Sequence, residues 1–586
     1  MSARELRLAR RWSIRADPDG IGVAQQWWES PPTDGWRSIR ADHAWQYVLG
    51  TDYHGVAWYR RRARLPKKWF GVHSRIWLRF ESVATDCRVW VNRAAVGRHV
   101  GDYLPFQFEI TDALAGGERC EIVCRVDEMQ GREPNEPGKE PWGGHITKGF
   151  HDVLSLQHGG IWNGVSVRRT ELMCAVPNGI HVRTDLADER MSVHVDLEPD
   201  HPGGSIRVSV RDDRGLECAS ATGEIGPNDL HAQVSMPVRN SQRWDIDTPI
   251  MYSASVVLET QTSRESYGVP VAFRTIESGG PDHRQILLNG KPLLIRGVLH
   301  WGHEPAHIAP SPTPDQVRAE FSGLKELGFN CVCLCMWYPP EWFYDIADQT
   351  GMLIWQQHPV WKSDMSGEHI DEYQRLYEGF FRRDAQHPSV IIVSATCEHE
   401  RFNPELATWW WKRAREVLPD KLLQLQTAFL SWAHRDTTDL YDEHTYENTG
   451  RWLPHLVDLR RELDALPPKP FVMGETIIAN HWPDIAAIDD MLAEPGHDPS
   501  GEYPWWVTRG LDACRAFEIS VCKRFGRDTL DRFRAQADAF ALEHRTRQVE
   551  ALRASGLFAG WVMNHLRDVP GCRCGFMDDL GRWRLT

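Results

Sequence analysis

Two glutamates follow short apolar runs of the kind that form buried strands: Glu398 ends Val390-Ile-Ile-Val-Ser-Ala-Thr-Cys-Glu398, and Glu475 closes Pro470-Phe-Val-Met-Gly-Glu475. A carboxyl pair delivered to one rim by two strands can cleave a glycosidic bond. One group protonates the leaving oxygen while the other attacks the anomeric carbon or activates water. Taken singly, each glutamate has a plainer explanation as a helix cap or an ion-pair partner, because most glutamates after apolar runs do no chemistry. The surrounding elements have to separate the two.

From about residue 280 the pattern alternates between strand and helix. Residues 317–327 have helical spacing and lead to a strand at 330–336, and 342–350 is helical before a strand at 353–356. Further strands are expected at 390–395, 422–426, 440–444, 471–474 and 556–564. Such alternation implies a parallel sheet, and about 300 residues suits an eightfold (β/α) barrel. Counted from a first strand ending at His300 and Trp301, Glu398 follows the fourth strand and Glu475 the seventh, both at the face where barrel loops build sites.

The first half of the chain reads differently. Gly55-Val-Ala-Trp-Tyr59, Ser74-Arg-Ile-Trp77-Leu-Arg-Phe80 and Cys87-Arg-Val-Trp90-Val-Asn92 alternate apolar and polar residues between turns. They indicate a jelly-roll β-sandwich over residues 1–170. Met191-Ser-Val-His-Val-Asp-Leu197 and Ile206-Arg-Val-Ser-Val-Arg211 repeat the theme at the length of an immunoglobulin-like β-sandwich, assigned to 171–276, which leaves 277–586 for the TIM barrel. Residues 131–144, rich in Pro, Glu and Gly, read as a loop able to reach a neighbouring site.

Composition narrows the class. The 586 residues are 41% hydrophobic, enough for several cores, and the net charge of −14 argues against nucleic acid or an anionic membrane as partner. No apolar run reaches the roughly 18 residues of a membrane span, and the charged start from Met1 to Trp12 does not resemble a secretory signal. Thirteen cysteines without a regular framework suggest reduced thiols in a cytoplasmic protein, although a chain whose signal had been removed would begin in the same way. The 27 tryptophans fit both sugar-stacking surfaces and β-domain cores.

Several segments, in order, resemble glycoside hydrolase family 2, which contains β-galactosidases, β-glucuronidases and β-mannosidases. They are Gly160-Ile-Trp162-Asn-Gly-Val165, Trp244-Asp-Ile-Asp-Thr-Pro249, Leu288-Asn289-Gly290-Lys-Pro-Leu-Leu-Ile-Arg-Gly297, Leu324-Lys-Glu-Leu-Gly328-Phe-Asn330, Phe343-Tyr-Asp345-Ile-Ala-Asp348, and Phe381-Arg-Arg-Asp384-Ala-Gln-His387-Pro-Ser389 just before Glu398. The resemblance implies a retaining, exo-acting hydrolase of a terminal β-linked sugar, with Glu475 as nucleophile and Glu398 as acid/base. The substrate is then a glycoside or oligosaccharide, and no metal or organic cofactor is needed. It also implies an aromatic floor under the sugar from Trp561. Tyr446, near the sixth strand, is a candidate partner for the nucleophile, and His300, Trp301 and Trp337 are wall candidates by position alone.

Two departures stand out. The family carries Asn before its acid/base, where it binds the sugar 2-hydroxyl, and this chain has Cys397; the family's second-strand Arg beneath the nucleophile is replaced by Cys333 or Leu334. These changes point to an unusual sugar or a slow enzyme. A carbohydrate-binding relative with weakened turnover, or a transglycosylase using the same intermediate, stay open as alternatives. Cys331, Cys333 and Cys335 share one strand face, and Cys397, Cys572 and Cys574 could lie near the same rim. A thiolate zinc site lacks the usual Cys-x-x-Cys spacing, and His300-Trp-Gly-His303 completes no metal pattern, so the thiols read as small buried hydrophobes. The sequence stops soon after the last strand, so pocket closure is expected from residues 480–506 or from a second copy in a homo-oligomer.

Overall fold

The computed structural model describes residues 4–584 except 72, 130–156, 305–306, 362–364, 366, 400–401, 429, 432–435, 448, 494–506, 508–509 and 557–558. The loop expected at 131–144, and the part of 480–506 beyond residue 493, lie outside the described residues.

Alternating strands build two sandwiches before the barrel. In the first, a four-stranded sheet that includes Ser74–Phe80 and Val165–Glu171 faces a six-stranded sheet that includes Val56–Arg64 and Arg119–Asp127. The period of two puts Ala57 and Tyr59 into the core with Trp12, Ile76 and Leu78. It turns Trp58 the other way, onto Trp90 at 5.6 Å between ring centroids. In the second, a three-stranded and a four-stranded sheet pack together; along Arg190–Leu197, Met191, Val193, Val195 and Leu197 are buried, while Ser192, His194 and Asp196 are less so. Among the described residues, ten tryptophans, Trp12 and Trp355 among them, are buried to below 2% exposure, so much of the tryptophan excess serves packing.

The third unit is an eight-stranded, wholly parallel curled sheet: β1 Ile295–His300, β2 Cys331–Leu334, β3 Leu353–Gln357, β4 Val390–Ser394, β5 Leu422–Gln424, β6 Tyr441–Thr445, β7 Phe471–Thr476 and β8 Gly560–Met563. β1 pairs with both β2 and β8, which curls the sheet toward closure. Side-chain parity then decides everything near the site. Leu299, Cys331, Cys333, Trp355, Val472 and Val562 share the interior cluster, whereas Val298, Val332, Leu334, Met473, Trp561 and Met563 join the cluster that includes the surrounding helices. The helix expected at 317–327 spans Pro314–Glu326, because Thr313 and Gln316 form a capping box that starts it earlier.

Buried polar braces fix the strand ends. Within the Asp384-to-Ser389 motif, Asp384 accepts from Tyr338 Oη and lies 2.9 Å from His358 Nε2. Asp348 holds His387 Nδ1 at 2.7 Å and accepts from the Ser389 N–H at 3.0 Å. The motif therefore anchors the helix Ile370–Asp384 to the loops around β3 and β4. Beyond β1 and β8, Arg567 lies 3.1 Å from Glu304 and pairs with Glu320, all three buried. Arg567→Met strands two buried carboxylates, and its expected cost is about 3–5 kcal/mol of folding stability. Urea denaturation of the variant checks this, and an unmoved midpoint would show that water relieves the two acids.

Candidate active site

Glu475 is the penultimate residue of β7 and sits in register with His444 on β6. Glu398 follows β4 by four residues, in a left-handed turn at φ 46° held by its N–H bond to Thr427 O at 3.1 Å. The turn aims Glu398 back over the barrel axis. One carboxylate oxygen from each glutamate and a ring nitrogen of His444 all lie within 4.8 Å of one another. Glu475 is buried, whereas Glu398 is partly exposed.

His444 bridges the pair. Its Nδ1 lies 3.1 Å from Glu398 Oε1 and 3.7 Å from Glu475 Oε1, and its Nε2 lies 3.5 Å from Asp442 Oδ2. Burial disfavours the charged ring, but Glu475, Asp442 and Glu398 outweigh it and hold the imidazole well above its ordinary pKa. Burial raises Glu475 above the usual carboxylate range, with Glu398 adding to the rise while the His444 cation and the Tyr446 hydroxyl oppose it. Tyr446 Oη donates to Glu475 Oε2 and accepts from Asn564 Nδ2 at 3.1 Å.

The sequence reading singled out Tyr446 but not His444, and a signal was there. Asp442, His444 and Tyr446 recur at every second position along the sixth strand and the residue just past it, so one barrel-facing stripe carries all three polar groups around Glu475.

Parity also sorts the remaining candidates. Trp561 is buried with Met473 and Leu334 on the helix-facing side, so it provides no floor for a sugar; the residue following β8 that reaches the site is Asn564. His300 and Trp337 likewise stand behind the wall. Their rings lie 4.8 Å apart, the Trp337 N–H donates to His300 O at 2.9 Å, and neither side chain presents surface to a ligand. Trp301 has interior parity and packs against His565 at 4.5 Å between centroids.

The two sequence departures meet at one atom. Cys335 Sγ and Cys397 Sγ lie 3.7 and 3.9 Å from Glu475 Oε1. The second-strand side chain at the nucleophile position is thus Cys335, not Cys333 or Leu334: Cys333 accepts from Gln357 Nε2 at 3.3 Å, and Leu334 faces the helices. Burial pushes the Cys335 thiol up to about 12 and Cys397 well above its ordinary value, so both stay protonated as weak donors to the carboxylate. Every one of the thirteen cysteines is a free thiol.

Two carboxyl groups this close, one buried and one partly exposed, suit a displacement in which one attacks while the other manages the proton. The comparisons with known proteins place the scaffold. Residues 49–133 match the profile "Glycosyl hydrolases family 2, sugar binding domain", and residues 282–409 match "Glycosyl hydrolases family 2, TIM barrel domain". The leading sandwich and the barrel thus each carry a match to a glycoside hydrolase family 2 domain. Among curated relatives, a β-glucuronidase of Paenibacillus borealis is 24% identical over 68% of this chain and 68% of its own length. A β-galactosidase of Thermoanaerobacter pseudethanolicus is 26% identical over 69% of this chain and 52% of its own length. Among solved structures, an uncultured Clostridium sp. β-glucuronidase shares the fold with a TM-score of 0.75 at 17% identity, covering 100% of this chain and 97% of that one. The structural likeness fixes the architecture. Among the described residues, no helix is long and apolar enough to cross a membrane.

Proposed function

We propose that this family 2 chain is a retaining, exo-acting β-glycosidase in which Glu475 attacks the anomeric carbon and Glu398 first protonates the leaving oxygen, then deprotonates water. The observation that carries the reading is the grouping of both carboxylates with His444 inside 4.8 Å. A retaining pair needs its carboxyl groups only about 5–5.5 Å apart, whereas an inverting pair leaves room for water at about 6.5–9.5 Å. Tyr446 and the two thiols orient the attacking oxygens, and the His444 cation favours ionised Glu475 despite its burial.

The substrate is a terminal β-linked sugar on a glycoside or oligosaccharide. Glucuronides and galactosides lead the choice, because those sugars name the relatives. With a thiol at position 397, the sugar 2-hydroxyl meets no amide there, which favours a ring altered at that carbon or a slow enzyme. The test is release of nitrophenol from aryl β- and α-glycosides, pyranosides and furanosides, with native protein and Glu475→Ala. Turnover of one sugar that vanishes in the variant supports the assignment. Binding without turnover across the panel would favour a carbohydrate-binding role.

His444 gives a pH test. A cation beside Glu475 lowers that group's pKa, so removing it must raise the pKa. In His444→Gln the acidic limb of the kcat/KM profile is expected to move upward by about 1–3 pH units, the size of an opposite-charge contact at this range. A limb that stays in place would mean that the imidazole is not what ionises the nucleophile.

A further inference from the structure

We propose that Cys572, Cys574 and His565 form a binding site for a thiophilic metal ion, zinc foremost, at the end of β8. Spacing alone argued against such a site, because Cys-x-Cys is not the usual zinc pattern. The fold supplies what spacing lacked. Val569-Pro-Gly-Cys572 is closed by two reciprocal backbone hydrogen bonds of 3.1 and 2.9 Å, which turns the chain so that Cys572 Sγ lies 3.2 Å from Cys574 Sγ. Cys574 Sγ lies 3.7 Å from both ring nitrogens of His565, and one ligating atom from each residue falls within 4.8 Å of the others.

A tetrahedral zinc ion, with Zn–S about 2.3 Å and Zn–N about 2.0–2.1 Å, holds its ligand atoms roughly 3.4–3.8 Å apart. The two sulfurs must part by about half an ångström, and Cys574 already stands at that separation from the His565 ring, whose rotation brings one nitrogen to the ion. Two thiolates and a neutral imidazole are a borderline-soft set suited to zinc and cobalt(II), and poorly suited to magnesium or calcium. Cys572 is partly exposed, so an ion has a way in, and Asn480 Oδ1 at 3.3 Å from Cys572 Sγ marks the direction of a fourth ligand, either that amide or water.

The frame around the ligands is firm. His481 N–H donates to Arg573 O at 2.9 Å, Arg573 Nε donates to His481 O at 3.2 Å, and Phe576 N–H donates to His565 O at 3.0 Å. Arg545 also donates to Cys574 O, so hydrogen bonds from outside the ligand set already hold the segments that carry Cys574 and His565. His565 directly follows Asn564, whose amide holds Tyr446 against Glu475, so an ion here braces the strand end beside the carboxylates. The inference stands whether or not Glu475 is a nucleophile.

The test uses the full-length protein, reduced and stripped of metal, titrated with Co2+ alone and then with Zn2+. Expected are one equivalent of Co2+ with a thiolate-to-cobalt charge-transfer band, its loss when Zn2+ displaces the cobalt, and a Zn2+-dependent rise in unfolding temperature. Cys572→Ser and Cys574→Ser should each lose the band while keeping the native circular dichroism spectrum, and Cys335→Ser should retain it. Cys572→Ser, at the partly exposed ligand, keeps the test meaningful if the buried substitution unfolds the chain. Reduced protein without the band overturns the proposal. So does a band that survives loss of Cys572 and disappears with Cys335 or Cys397, since the ion would then sit at Glu475.

Discussion

Glu475→Ala is expected to lower turnover of an accepted aryl glycoside on the order of 10^5-fold, the scale on which removing a covalent nucleophile acts. The substitution leaves a small cavity bounded by Tyr446, His444, Cys335 and Cys397, the groups now ranged around the carboxylate. A small anion such as azide or formate can enter there and attack from the side that Glu475 occupied. Because no glycosyl-enzyme forms first, its product carries the inverted configuration, so azide should restore part of the rate and give the α-glycosyl azide. Sugar binding, measured by calorimetry, should persist, since the groups around the cavity remain. Turnover within about tenfold of native would remove Glu475 from the nucleophile role, because a single lost hydrogen bond to a charged group is worth only about that much.

The barrel was readable because its strands are buried on both faces and so appear as short apolar runs: 353–356, 390–395 and 471–474 coincide closely with Leu353–Gln357, Val390–Ser394 and Phe471–Thr476. The same runs carry the two glutamates to strand ends, so their meeting follows once the sheet curls. Parity was harder to read. In a strand that is apolar throughout, nothing in composition says which residues face the helices, and Trp561 and His300 fall on that side only because of pairings such as Gly297 with Val562 and His300 with Leu334. Asn564 and Cys335 continue the interior alternation of Val562 and of Cys331 and Cys333; what local sequence did not carry is their distant partners, Tyr446 and Glu475, which the curled sheet supplies. The convergence of Cys572, Cys574 and His565 depends on a turn and on long-range bonds to residues 480–481, which local sequence does not encode.

Glu398→Ala should separate substrates by their leaving groups. Where the departing oxygen is a sugar or alkyl alcohol, bond cleavage needs a proton, and kcat/KM is expected to fall by about 10^2–10^4-fold. Where it is an acidic nitrophenol, the oxygen leaves as the anion, and kcat/KM should fall far less. Hydrolysis of the glycosyl-enzyme still lacks its base, so the intermediate should accumulate, kcat should drop and KM should drop with it. Azide, which needs no deprotonation, should then accelerate turnover and yield the β-glycosyl azide, with configuration retained through two displacements. That stereochemistry is opposite to the product expected from Glu475→Ala, so the pair of variants assigns both roles through one analytical measurement. A uniform loss across all leaving groups would mean that Glu398 acts on Glu475 or His444 and not on the substrate. The 3.1 Å contact from its Oε1 to His444 Nδ1 makes that alternative concrete. In that case the acidic limb of the pH profile would move with Glu398→Ala, downward because Glu398 raises the Glu475 carboxyl and so opposite in sense to His444→Gln; for a proton donor to the leaving group, the basic limb is the one that is lost.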